Sequence, residues 1–221
     1  MHRAGSSSWR LSVNDSPQTT SFALFVREAL DLPVPPSPDT PPRRGAGKAH
    51  REVNLSAAER QEAGEQWLAW WCRLVDVDFR THAPMPTEGD IHALIRARMA
   101  ERQRVFDPPT FSALSDSPAL QTVALAAFED FNRQNGTRER RNPRGQRGFD
   151  ATLTRDVADA LIAELSISPD RLDASVLTID VPGHWFHIAG PGTAICSLDL
   201  ASDAQAAESL LRAVFVSGLE R

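Results

Sequence analysis

Along residues 175–219 the apolar positions first recur every second residue and then every third or fourth. Residues 175–181, 184–189 and 193–199 alternate in the manner of half-buried strands. Pro182-Gly183 and Gly190-Pro191-Gly192 separate them. This spacing predicts a three-stranded antiparallel meander with Val181 opposite His184, Ile179 opposite Phe186 and Leu177 opposite Ile188. The second turn sets Ile188 opposite Ala194, Phe186 opposite Cys196 and His184 opposite Leu198. One face then carries Leu177, Ile179, Val181, Phe186, Ile188, Ala194, Cys196 and Leu198. The other carries Val176, Thr178, Asp180, Trp185, His187, Ile195 and Ser197.

A helix over residues 203–218 follows, with Ser202 and Gln205 as a capping box and Gly218 as its stop. Its stripe of Ala207, Leu210, Leu211, Val214 and Phe215 is expected to cover the apolar sheet face. A meander with one helix is too small to stand alone. The mixed face, with Val176, Trp185 and Ile195, therefore needs a further cover, from this chain or another. Before the meander, residues 154–165 read as a helix with Val157, Leu161, Ile162 and Leu165 inward. The fold class expected is α+β: a helical N-terminal segment, then a C-terminal α-β-β-β-α unit over residues 152–221.

Upstream, residues 1–32 read as an N-terminal arm. Trp9, Leu11 and Val13 alternate as in a strand, residues 14–17 form a turn, and Ser21 caps a short helix with Phe22, Phe25, Val26, Ala29 and Leu30 on one side. Residues 33–50 hold six prolines and read as a linker, stiff and polyproline-like in its first half. Residues 51–135 read as three helices. The first opens on the capping box Ser56–Glu59 and carries Ala63, Trp67, Trp70, Trp71, Leu74 and Val75. The second opens at Thr87, with Ile91, Leu94, Ile95, Met99 and Phe106 inward and Arg96, Arg98, Glu101, Arg102 and Arg104 on its other face. The third is capped by Ser117-Pro118, carries Leu120, Val123, Ala124, Ala127, Phe128 and Phe131, and closes at Asn135-Gly136. Together they are expected to pack as a bundle. Residues 136–151 read as a basic loop.

Charge narrows the function classes. The 221 residues carry a net charge of −5, which opposes generic binding to nucleic acid or an anionic membrane. Of the 24 basic residues all but Lys48 are arginine, and tyrosine is absent, a pattern of coding bias in a GC-rich, bacterial-type genome. No window is apolar enough for a membrane span, and the first residues hold no apolar run of a secretory signal. The expected location is the cytoplasm, with Cys72 and Cys196 as buried free thiols.

Three constellations bear on chemistry. His184 and His187, an odd number apart on one strand, project to opposite faces and cannot converge on a metal. His187 could meet Asp180 as an acid–base pair, the basis of a hydrolase reading, but no nucleophile pattern accompanies them. Gly190-Pro191-Gly192 leads into a strand rather than a helix, so it is a turn and not a phosphate loop. Arg138, Arg140, Arg141, Arg144 and Arg147 could contact nucleic-acid phosphates, yet Phe149 is their one aromatic neighbour. No catalytic residue, metal or cofactor is expected. The leading reading is a non-catalytic protein-interaction subunit, an adaptor or regulator in a multiprotein assembly or homo-oligomer. It would bind through Trp9, Phe22, Phe25, Trp185, His187 and Ile195. A nucleic-acid accessory protein using the arginine loop is the alternative, and the hydrolase comes third.

Overall fold

The computed structural model describes residues 8–15, 17–44, 53–82, 90–141 and 148–220, with the backbone alone for residues 82 and 135–141. In chain order its elements are β1 (Arg10–Asp15), α1 (Gln18–Ala29), α2 (Ala57–His82), α3 (Ile91–Gln103), α4 (Pro118–Arg141), α5 (Ala151–Leu165), β2 (Asp173–Ile179), β3 (Phe186–Gly190), β4 (Thr193–Ser197), α6 (Leu198–Ser202) and α7 (Ala204–Gly218). The fold is mixed α and β. It divides into two units, one formed by Met1–Asp15 with Arg147–Arg221 and the other by Ser16–Gln146. The second is thus an insertion in the first. Within the first unit its entry and exit adjoin: a Cβ on Gly148 would lie 3.9 Å from the Asp15 carboxylate.

The sheet is mixed rather than a meander, with strand order β1-β2-β4-β3. β1 pairs with β2, and β2 with β4, both in parallel; only β3 and β4 are antiparallel. The expected register survives in that last pair, with Phe186 opposite Cys196 and Ile188 opposite Ala194. It fails for β2, which pairs Val176 with Ala194 and Leu177 with Ile195. Val176 therefore joins the face of Ala194, Cys196 and Ile188, and Leu177 joins Ile195 on the other.

The reason lies in β2 itself. Val176, Leu177, Thr178 and Ile179 are all buried, so both faces of this strand are covered. A continuous apolar run buried on both faces suits a central parallel strand, not an arm of a two-residue hairpin. The Pro182-Gly183 segment carries the chain past the end of β4 instead. Buried Ser197 anchors it: its hydroxyl donates to the Gly183 carbonyl (2.5 Å) and accepts from the Trp185 and Leu200 amides (both 3.2 Å). One donor and two acceptors are all filled. The Ser197 amide donates to the Trp185 carbonyl (2.8 Å), delivering β3 to the far edge of β4.

One sheet face carries Leu11, Ala174, Val176, Ala194, Cys196 and Ile188 against Val157, Ala158 and Leu161 of α5, Leu200 and Ala201 of α6, and Leu210, Leu211, Val214 and Phe215 of α7. The α7 stripe is as expected; its cap is not. Asp203, accepting from the Ala206 amide at 2.8 Å, caps α7, while Ser202 ends the separate helix α6. Asp150 caps α5, three residues earlier than the pattern suggested, because its carboxylate satisfies the Thr152 and Leu153 amides.

The inserted unit is organised by α2. The Ser56–Glu59 capping box forms as expected. The proline segment after α1 is held to the body at its far end. Arg27 is buried and donates to the carbonyls of Pro41 (2.7 Å) and Pro42 (3.0 Å) and to Glu28. Its guanidinium lies 5.1 Å from the centre of the Trp67 ring, which stacks on Trp71 at 5.4 Å. Burial lowers the Arg27 pKa from its usual range, and the neighbouring Glu28 carboxylate opposes that shift. At its near end the Pro33 backbone lies against Gly64 inside α2. Further departures concern the helix ends. α1 begins after Pro17 rather than at Ser21, and α4 runs on through Gly136 to Arg141. Cys72 is exposed, not buried.

Gly64 supplies a test whose sign opposes helix propensity. Elsewhere in a helix, Gly to Ala gains up to about 1 kcal/mol. Here an added Cβ would meet the Pro33 carbonyl oxygen at 2.5 Å, backbone against backbone. Gly64→Ala is expected to destabilise by about 1–3 kcal/mol in urea unfolding. An unchanged or raised midpoint would show that the proline segment does not lie on α2.

Candidate partner-binding surface

The residues expected to bind partners divide sharply. Phe22 is fully buried, with the rings of Trp70, Phe106, Phe111, Phe128 and Phe131 between 5.1 and 6.1 Å away. Ile195 is equally buried. Trp9 packs edge-on against Phe215 at 6.4 Å, and Phe25 tilts against Phe131 at 5.6 Å. Trp185 and His187 are half-buried on and beside the edge strand β3, and Phe186 between them is exposed. Of the basic cluster, Arg138, Arg140 and Arg141 lie on the final turns of α4, while Arg144 and Arg147 fall outside the described residues.

The surface that the hydrophobic pattern did not single out is on α3. Its stripe is expected to face inward, yet no residue of Ile91–Gln103 is buried, and of that stripe Phe106 alone, beyond the helix, is. Ile91, Ile95 and Met99 are 47%, 39% and 58% exposed. The helix starts at Asp90, whose carboxylate accepts from the Ala93 amide at 3.0 Å. Thr87 lies outside the described residues. At about 100° per residue, Ile91, Ile95 and Met99 form one line, with His92 and Arg96 on one side and Leu94, Arg98 and Glu101 on the other, while Arg104 falls on the opposite face.

The second side rests on α2. Arg98 donates to the Thr81 carbonyl (3.2 Å), and Glu101 pairs with Arg80 (2.6 Å), which also holds Asp76 (2.7 Å). Beyond the helix the Val105 carbonyl accepts from the Trp70 indole (2.9 Å), and Phe106 is buried with Arg102 at 5.8 Å from its ring. These bonds set the rotation of α3. Charged and polar groups with long stems take the protected side, and the apolar line is left at the water. Periodicity finds such a stripe but reads alike for a covered and an uncovered one, so no pattern in α3 alone separates the two.

Among the described residues no three or more His, Cys, Asp or Glu side chains are gathered to hold a metal, and no helix is long and apolar enough to cross a membrane. An indentation lined by Phe25, Ala29, Leu30, Val53, Ala126, Ala127 and Asp130 holds about 10 Å³, room for a single water. No family model, curated protein or solved structure matches the chain.

The two thiols differ in state. Burial, with the Asp15 charge adding to it, pushes Cys196 up to about 12. Cys72 is raised as well, by partial burial and then by Asp39. An unfolded thiol titrates near about 8.5. Between roughly pH 9 and 12 the folded chain keeps a proton on Cys196 that the unfolded chain releases, so folding stability falls as pH rises through that window. The expected outcome is a steeper loss of urea midpoint above about pH 9 in the wild type than in Cys196→Ala. Parallel pH profiles would show that the Cys196 thiol is not buried.

Proposed function

We propose that the chain is a non-catalytic cytoplasmic subunit or adaptor that binds a partner protein through α3. One observation carries this reading. A thirteen-residue helix is held at a fixed rotation by Arg98, Glu101 and Val105 while its apolar line, Ile91-Ile95-Met99, faces water. An exposed apolar row on a rigid element is a recognised mark of an interaction face. Scattered single apolar residues need no explanation, but three at one-turn intervals form a ridge that another element can pack against.

Exposed positions tolerate substitution, so folding and binding separate cleanly here. Ile95→Asp is expected to change folding stability by no more than about 0.5 kcal/mol. In size-exclusion of cell extract the wild-type chain is expected to elute well above its own 24.3 kDa, and Ile95→Asp at the position of the free chain. Elution of the wild type as a lone chain would remove the proposal.

A further inference from the structure

We infer that β3 is a pairing edge for a second copy of this chain, joining two sheets into one across a two-fold axis. The strand closes the sheet order, so among the described residues no strand flanks its outer side. The ladder to β4 fixes which backbone groups point that way. Antiparallel strands exchange bonds at every second residue pair. The Ser197 amide donates to the Trp185 carbonyl at 2.8 Å, which makes Trp185 and Ser197 one such pair. The register then turns the amide and carbonyl of His187 toward Ile195 and leaves those of Phe186 and Ile188 on the open side.

These four groups match their own copy. Laid antiparallel with His187 on the two-fold axis, Phe186 meets Ile188 of the other copy and Ile188 meets Phe186. All four groups of each copy are then bonded, within the five residues of β3. An axis on Phe186 would call on His184, outside the strand. An axis on Ile188 would call on Gly190, beyond the register shift. The side chains agree with the central axis. Phe186 lies opposite Cys196, on the face that α7 covers, yet is 47% exposed. In the joined sheet it stands beside the half-buried Ile188 of the other copy, so each copy covers the other's ring.

Composition selects a copy over a foreign strand. Residues 186–190 carry no Lys, Arg, Asp or Glu, so nothing on this edge repels an identical strand. Pro182 and Pro191 bracket it, so a longer foreign strand gains no further ladder. The other edge strand, β1, ends in exposed Arg10 and Asp15 and is blunted by them.

The test uses the purified full chain. Light scattering is expected to give twice 24.3 kDa. Phe186→Pro removes only an outward amide at the start of the strand, one the β3–β4 ladder does not use. It is expected to keep a cooperative urea transition and to weaken self-association at least about tenfold. The exposed Cys72 is first changed to Ser. In that background His187→Cys is expected to oxidise to a covalent dimer, because facing residues of a non-bonded antiparallel pair lie about 4.5 Å apart at Cα. Phe186→Cys is expected to stay uncross-linked, since its copy sits about 8 Å away, beyond disulfide reach. Ile95→Asp is expected to leave the mass doubled, which separates this edge from α3. A single-chain mass for the wild type would overturn the inference. So would an unchanged mass in a folded Phe186→Pro, equal cross-linking of the two cysteine variants, or loss of the doubled mass in Ile95→Asp. If Phe186→Pro fails to fold, the cysteine variants decide.

Discussion

Three indole N–H groups govern the inserted unit. Trp67, Trp70 and Trp71 are buried along one side of α2, and a buried indole donor must find an acceptor. Each finds a backbone carbonyl on a different segment: Trp67 reaches Ala23 in α1 (2.7 Å), Trp71 reaches Asp39 in the proline segment (3.0 Å), and Trp70 reaches Val105 after α3 (2.9 Å). The same ridge thus supplies hydrophobic area and fixes the azimuth of three neighbours. An alanine or leucine ridge could supply area but would leave those segments free to turn. Here a cluster of large side chains sets orientation as well as cohesion.

The exposed apolar row of α3 is a by-product of this constraint. Because Trp70 holds Val105 and Phe106 is buried with it, α3 can contact α2 only along the side of Leu94, Arg98 and Glu101. That side is the more polar one, and the apolar line is displaced onto the surface. A helix free to roll would bury Ile91, Ile95 and Met99 and expose its arginines. The arrangement therefore forgoes burial of three side chains, each worth about 1.5–3 kcal/mol if fully covered. Covering by a partner recovers that term, which is why the exposed ridge reads as half of an interface.

How much of this was legible in the chain depends on which forces are local. The helices of the inserted unit, the α7 stripe and the β3–β4 register follow from periodicity and turn chemistry, both properties of short windows. The strand order does not. Choosing between a β2–β3 hairpin and a parallel β2–β4 pair depends on which strands flank β2, and one of them is β1, more than 150 residues away. The run Val176-Leu177-Thr178-Ile179 held the clue, since a strand apolar at consecutive positions has no watery side. Phe22 and Ile195, read as anchors for another chain, proved to be anchors within this one. Burial of a surplus apolar residue can be met from either source, and sequence spacing does not distinguish them. The α3 rotation was hidden for the same reason: it is set by a hydrogen bond between Trp70 and Val105, residues 35 apart.

The parallel pairing of Arg10–Asp15 with Asp173–Thr178 has a consequence for synthesis. The strand Arg10–Asp15 has no such neighbour to bond with until residues more than 150 positions later are made. The intervening segment carries its own aromatic nucleus and can condense while that strand waits. Completion of the sheet therefore waits on residues beyond the inserted segment, and a nascent product that stops short of them would display an unmatched β-edge to the chaperones that survey it.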